Sequence, residues 1–265
     1  MLEVGVVSVT FRNFGPRDVI KHALAGRVSH IEWSADRHVP TGGLDAAREV
    51  GAMTRDAGLS IAGYGAYYKA GLPPMDAQPF EPVLETAMAL GATNIRIWAG
   101  DKGSSGARES YWNAVVQDTL RIADLAQSAG LTISFEFQSN TLNDTGTSSE
   151  RLMQAIKHPA VFTYWQPDSR LLPDERLEGL NQIRPWLKNI HVFHWSDGRR
   201  QAFADGEKEW LTYLTSAAHC NSTRVCLIEF VKDDLLTNFV ADANILRSIV
   251  TQANGRVKRV ESTQR

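Results

Sequence analysis

Several things are scarce in these 265 residues, and each shortage removes a class of protein. Cysteine occurs twice, at Cys220 and Cys226, too few and too close together for a zinc or disulfide framework. Both are expected to be reduced thiols, as in a cytoplasmic protein. No apolar run approaches the ~18 residues of a membrane span. Neither sign of charge dominates: 28 Lys and Arg stand against 30 Asp and Glu, so the broad basic face of a nucleic-acid binder is missing. Met1 leads straight into an alternating apolar segment with no basic stretch or cleavage site, so no secretory signal is visible and a cytoplasmic location is expected. No Pro-, Gly- or Ser-rich linker divides the chain, which reads as one domain over residues 1–253 and a polar, basic tail over 254–265.

What is present is alternation. With 43% hydrophobic and 22% charged residues the chain has the means to build a full core. Short strand-like runs are expected at Glu3–Thr10, His30–Trp33, Ser60–Tyr64, Asn94–Trp98, Thr132–Phe137, Val161–Gln166, Asn189–Trp195 and Arg224–Val231. Between them lie segments with apolar residues at helical spacing, such as Leu44–Ala57, Phe80–Leu90, Tyr111–Ala129 and Asn238–Val250. One junction recurs, in which a helix ends at Gly and a strand follows: Gly58, Gly91 and Gly130 each fit a left-handed helix cap. Strands alternating with helices in this number over ~250 residues predict a (β/α)8 TIM barrel. The competing open, doubly wound sheet would favour Gly-x-Gly-x-x-Gly after the first strand, and Val9–Gly15 reads VTFRNFG.

Barrel chemistry sits at the carboxyl ends of the strands. In order, those ends carry Glu32, Tyr64 with Tyr67, Arg96 with Trp98, Glu136, Gln166 with Asp168, His191 with His194, and Glu229. Glu136 and Glu229 lie inside apolar runs, where an unpaired carboxylate is costly. Two explanations fit: each pairs with an arginine such as Arg96, or both face one divalent cation.

The chain resembles the xylose isomerase-like barrels, in particular the sugar phosphate isomerase/epimerase group. The resemblance runs over nearly the whole chain. It is carried by Ile31-Glu32-Trp33 with His38-Val39-Pro40, Ile95–Gly100, Phe135-Glu136-Phe137 with Asn140-Thr141-Leu142, Tyr164–Pro167, His191–Trp195 and Leu227–Phe230. It implies a divalent metal ion (Mn, Mg, Co or Zn) held by Glu136, Gln166, His191 and Glu229. Gln166 stands where the family usually has Asp, with Asp168 two residues on, and a neutral ligand should loosen the cation. His191 fits the strand-seven pattern, whereas the step from His194 to Arg200 fits the epimerase spacing; opposite parity on a strand lets only one histidine point inward. His191 is the favoured ligand, and His194 is left to substrate.

The resemblance further implies an isomerase or epimerase acting on a sugar, sugar phosphate or related polyol. Glu136 and Glu229 would be the acid–base pair across an enediolate. A polyol dehydratase would use the same parts, and a catalytically silent barrel that binds a sugar or a partner is the other reading. Expected substrate contacts are Glu32, His38, Tyr67, Trp98, His194 and Arg200, each with a plainer reading as packing or surface charge. The stretch Gly103–Gly106 reads as a connecting loop or an anion cradle. A homo-oligomer is implied; nucleic-acid and membrane partners are not.

Overall fold

Apolar and polar residues alternate along the central strands, so each strand buries both faces, but against different neighbours. Ile95, Ile97, Ile133, Phe135, Ile190, Val192, Cys226 and Ile228 point outward and pack with the helices in the main core. Val7, Ala62, Tyr164, Val225 and Leu227 form a smaller cluster inside the ring of strands. The computed structural model describes residues 1–73, 75–196, 198–219 and 222–263, with side chains of the last helix described through Val257. Cys226 is buried; Cys220 lies outside the described residues.

The strands are β1 (Leu2–Val7), β2 (His30–Ser34), β3 (Ser60–Lys69), β4 (Asn94–Trp98), β5 (Thr132–Phe135), β6 (Val161–Trp165) and β7 (Leu187–Val192), then a small hairpin of β8 (Trp195–Ser196) and β9 (Arg199–Arg200), and finally β10 (Arg224–Ile228). All but β8 and β9 join in one closed, parallel barrel in the order β1-β10-β7-β6-β5-β4-β3-β2. Registers such as Val6↔Ile228, Val7↔Glu32 and Arg96↔Ser134 bring the strand ends to one level. Around the barrel run α1 (Pro16–Ala25), α2 (Leu44–Asp56), α3 (Glu81–Leu90), α4 (Glu109–Ser128), α5 (Gly146–Ile156), α6 (Pro173–Ile183), α7 (Glu207–Ala217) and α8 (Leu236–Thr263). This is the expected (β/α)8 barrel. Gly58, Gly91 and Gly130 all take positive φ at the helix–strand junctions, as the cap pattern requires. Among the described residues no helix is long and apolar enough to cross a membrane.

Two strands end earlier than their sequence pattern. The first leaves the sheet at Val7, because Ser8–Phe11 coil into a 3-10 turn. The seventh ends at Val192, and Trp195 pairs instead with Arg200 across the hairpin. Residues 254–263, which read in the sequence as a tail, continue α8, and Asn254 bonds both backbone groups of Leu2 at 2.9 and 3.0 Å.

Candidate active site

Beside the inner apolar cluster, the barrel interior carries polar side chains in two storeys. Below, Asn94 and Asn189 donate to the Tyr164 hydroxyl at 3.1 and 2.9 Å, and Ser134 donates to Asn94 at 2.7 Å. Above them, one step along each strand, sit Glu32, Arg96, Glu136, Gln166, His191 and Glu229. The same period that sends Ile95, Ile133 and Ile190 into the helix layer turns these residues inward, where Arg96, Glu136, Gln166 and Glu229 line the mouth and Glu32 and His191 are fully buried.

Backbone bonds hold the two glutamates just past their strands. The Glu136 N–H donates to Ile97 at 2.9 Å, and Asn143 donates to the Glu136 carbonyl at 2.9 Å. The Glu229 N–H donates to Val192 at 2.9 Å. Arg96 reaches across the mouth, donating from Nε to Glu32 Oε1 at 2.7 Å and from Nη1 to Glu136 Oε2, while Trp98 Nε1 donates to the same Oε2 at 2.6 Å. Gly65 makes room for it: a Cβ there would lie 2.5 Å from Arg96 Nη2.

His191 is fully buried and surrounded by oxygen. Its Nδ1 lies 3.1 Å from Gln166 Oε1, 3.3 Å from Glu229 Oε2 and 3.9 Å from Glu136 Oε1; its Nε2 lies 3.5 Å from Glu32 Oε1. Burial opposes a charge on this ring, yet Glu229 and Glu32 outweigh it and raise its pKa to about 10. Burial likewise opposes charge on Glu32, but Arg96 and His191 hold its carboxyl down at about 2. Glu229 shifts the same way for the same reasons, with His191 the stronger partner. Glu136 thus pairs with Arg96, whereas Glu229 faces His191 rather than an arginine, and the two carboxylates converge on that histidine.

The donor set suits a divalent cation. One ligand atom each from Glu136, His191 and Glu229 lies within 4.8 Å of the others, and the Gln166 oxygen adjoins them. Carboxylate, imidazole and amide donors together suit Mg, Mn, Co or Zn. With Nδ1 turned to the cation, Nε2 would face Glu32, the arrangement in which a carboxylate orients a metal-bound histidine.

The mouth is a cavity of about 540 Å³ lined by Tyr67, Trp98, Glu136, Gln166 and Glu229 among the expected residues. Pattern reading missed Arg12, Phe137, Phe193 and Phe230, which also line it. Other expected residues lie elsewhere. His38 bonds the Phe14 carbonyl at 3.1 Å and packs on Trp33. His194 lies behind the mouth against Gly206, Trp210 and Tyr213. Arg200 pairs with Asp234 and stacks on Phe230. Asp168 lines the rim but is bound through both oxygens by Arg170, at 2.9 and 2.6 Å. Ser104, in the Gly103–Gly106 stretch, donates its N–H to Asp144 at 2.9 Å.

No protein-family model matches the chain. A stretch of 103 residues, 37% of this chain, is 25% identical to 3-dehydroshikimate dehydratase from Bacillus anthracis, and the match spans 35% of that relative's length. Among solved structures, the probable 3-DHS dehydratase AsbF from Bacillus anthracis is similar with a TM-score of 0.72 at 16% identity, over 92% of this chain and 98% of its own. A xylose isomerase-like TIM barrel protein from Mycobacterium smegmatis, in complex with magnesium, gives 0.69 at 14% identity over 95% and 97%. L-ribulose 3-epimerase gives 0.66 at 14% identity over 99% and 98%. At such identities the likeness is one of fold: the chain has the fold of xylose isomerase-like TIM barrels.

Proposed function

We propose that this chain is a divalent-metal-dependent enzyme that isomerises or epimerises a sugar, sugar phosphate or related polyol by moving a proton on carbon beside a carbonyl. The observation that carries the reading is the convergence of Glu136, His191 and Glu229 within 4.8 Å at the floor of an open mouth. A bound cation would polarise the carbonyl and steady the charge that builds up on oxygen as the proton leaves.

The remaining work falls to the side chains. Glu136 and Glu229 come from β5 and β10, which β6 and β7 separate in the ring, so they approach a bound molecule from different sides. One takes the proton from carbon; the other returns a proton to the opposite face or to the neighbouring carbon. Arg96 and Trp98 fix Oε2 of Glu136 and leave Oε1 turned toward His191. Tyr67 and Trp98, packed edge to face at 5.4 Å, form an apolar wall suited to the C–H face of a sugar. A cavity of about 540 Å³ has room for a molecule of that size.

A second reading, dehydration of a related polyol, is favoured by the local match to 3-dehydroshikimate dehydratase. It begins with the same proton removal and then expels a hydroxyl group. Incubation in deuterated water with Mn²⁺ and a panel of ketoses, aldoses, their phosphates and 3-dehydroshikimate separates the readings. A compound that gains deuterium beside its carbonyl and is converted without loss of water supports isomerisation or epimerisation; loss of water supports the dehydratase. A compound that binds but neither exchanges nor reacts points to a silent barrel.

A further inference from the structure

We infer that the Arg12 guanidinium is the docking point for a negatively charged group of the substrate, a carboxylate or a phosphate, at the edge of the mouth beside Glu229. The inference rests on the sugar or polyol reading above and narrows it to anionic substrates.

Arg12 closes the 3-10 turn Ser8–Phe11 that follows β1. The backbone there is pinned, because Phe11 is buried with its ring 4.9 Å from those of both His22 and Phe239. From this base the guanidinium lies 4.8 Å from the centroid of Phe230 and lines the mouth. Phe230 follows Glu229 and is itself held in an unusual place. Its φ is +62°, a left-handed conformation that a bulky side chain disfavours. Its N–H donates to the Thr10 hydroxyl at 3.0 Å, and that hydroxyl donates to Ile228 at 3.2 Å. The segments that follow the first and last barrel strands thus cooperate to fix one ring, on which the guanidiniums of Arg12 and Arg200 both lie, at 4.8 and 4.6 Å from its centroid.

The charges around the mouth isolate this group. Arg96 is committed to Glu32 and Glu136, Arg170 to Asp168, and Arg200 to Asp234. Asp36 takes the Ser34 hydroxyl at 2.6 Å, Asp144 takes the Ser104 N–H, and Glu229 faces His191. Among the described residues, Arg12 is the mouth-lining charge with no hydrogen-bond or ion-pair partner. A guanidinium lying on an aromatic ring keeps its N–H edge free, and that edge matches the paired oxygens of a carboxylate or phosphate. The placement also orients the ligand: its anionic end lies at the β1–β10 side, and its carbon skeleton reaches the cation cluster and Trp98 beyond.

The test measures binding. The full chain with added Mn²⁺ is titrated with D-fructose, D-fructose 6-phosphate and shikimate, and the quenching of tryptophan fluorescence is followed for the unaltered protein, Arg12→Met and Arg12→Lys. At least one anion should bind about tenfold or more tightly than D-fructose, with the better one revealing phosphate or carboxylate. Arg12→Met should erase that advantage without changing the affinity for D-fructose, and Arg12→Lys should recover part of it. Phe230→Leu, which removes the ring but keeps the charge, should weaken the anion alone by a few-fold. Two outcomes overturn the inference and leave the sugar reading standing: Arg12→Met binding the anions as tightly as the unaltered protein, or D-fructose binding as tightly as both anions. Failure of all three compounds to bind would overturn the sugar reading, and the inference with it.

Discussion

Arg96 Nε donates to Glu32 Oε1 at 2.7 Å, tying together two fully buried charges that lie 64 positions apart in the chain. The same guanidinium holds Glu136, so one arginine neutralises the second strand and orients the fifth. Burial opposes its charge, but Glu136 and Glu32 reverse that and hold its pKa well above the ordinary value. Removing the arginine leaves both carboxylates buried, Glu32 with His191 and Glu136 with the Trp98 N–H as remaining partners.

Arg96→Met should therefore destabilise the chain by about 3–5 kcal/mol, since two buried carboxylates lose the cation that neutralises them. Urea unfolding in the presence of a chelator measures this without interference from a cation. The double variant Arg96→Met with Glu32→Gln should recover a substantial part of the loss, because the second change removes one stranded charge. A loss under about 1 kcal/mol in the single variant would mean that water or rearrangement satisfies the glutamates.

Metal binding should appear first in stability. At a free concentration of Mn²⁺ about one hundred times its Kd, folding should gain about 2.7 kcal/mol, and EDTA should reverse the rise in Tm. Glu136→Gln and Glu229→Gln should each weaken the response by removing a charged donor. Gln166→Asp should strengthen it, because a carboxylate would replace the amide 3.1 Å from His191 Nδ1. Weaker binding in Gln166→Asp would remove Gln166 from the proposed donor set, and no Mn²⁺ response in the unaltered protein would remove the cation.

Trp98→Phe separates catalysis from packing. The variant keeps an aromatic ring next to Tyr67 but loses the N–H that bonds Glu136 Oε2 at 2.6 Å. Stability should change by no more than about 1 kcal/mol. Turnover should fall about tenfold, because Glu136, the carboxylate proposed to move the proton, loses one of the two donors that aim it. Unchanged kcat would show that Arg96 alone sets the orientation.

Strand parity makes much of this site legible in the amino-acid order alone. Asn94–Trp98 alternates strictly, so the inward face of Arg96 follows from the pattern. The same alternation separates His191 from His194, and the fold puts His191 beside the glutamates and His194 against Gly206. What parity cannot supply is the point at which a strand ends. Apolar alternation continues past Val7 and Val192, while the backbone turns away at both places. Partners distant in the chain are also hidden, because no local pattern records that Arg200 takes Asp234 or that Arg12 lies on Phe230. The hairpin explains Arg200: its spacing from His194 resembles that of a substrate-binding arginine, yet pairing of Trp195 with Arg200 carries it to the rim.

Outside the Glu136–His191–Glu229 cluster, Asp242 on α8 should make stability depend on pH. It is only 8% exposed, and burial pushes its carboxyl up to about 6, opposed in part by a hydrogen bond from the backbone of Phe203. In the unfolded chain the same group loses its proton near its ordinary value of 3.8. Between these two values the folded protein holds a proton that the unfolded chain has released, so this group's contribution to stability falls as pH rises through that window. Above about pH 6 the folded state carries the full cost of a buried carboxylate. Asp242→Asn removes the charge and keeps an oxygen for the Phe203 N–H. Its Tm should exceed that of the unaltered protein at about pH 8, and the gap should narrow below about pH 6 and close near about pH 3, where both folded and unfolded Asp242 are largely protonated. Thermal melts of the two proteins across this range provide the check. A gap that widens on acidification would mean that Asp242 is stabilised as a carboxylate by its surroundings, the reverse of the sign argued from its burial.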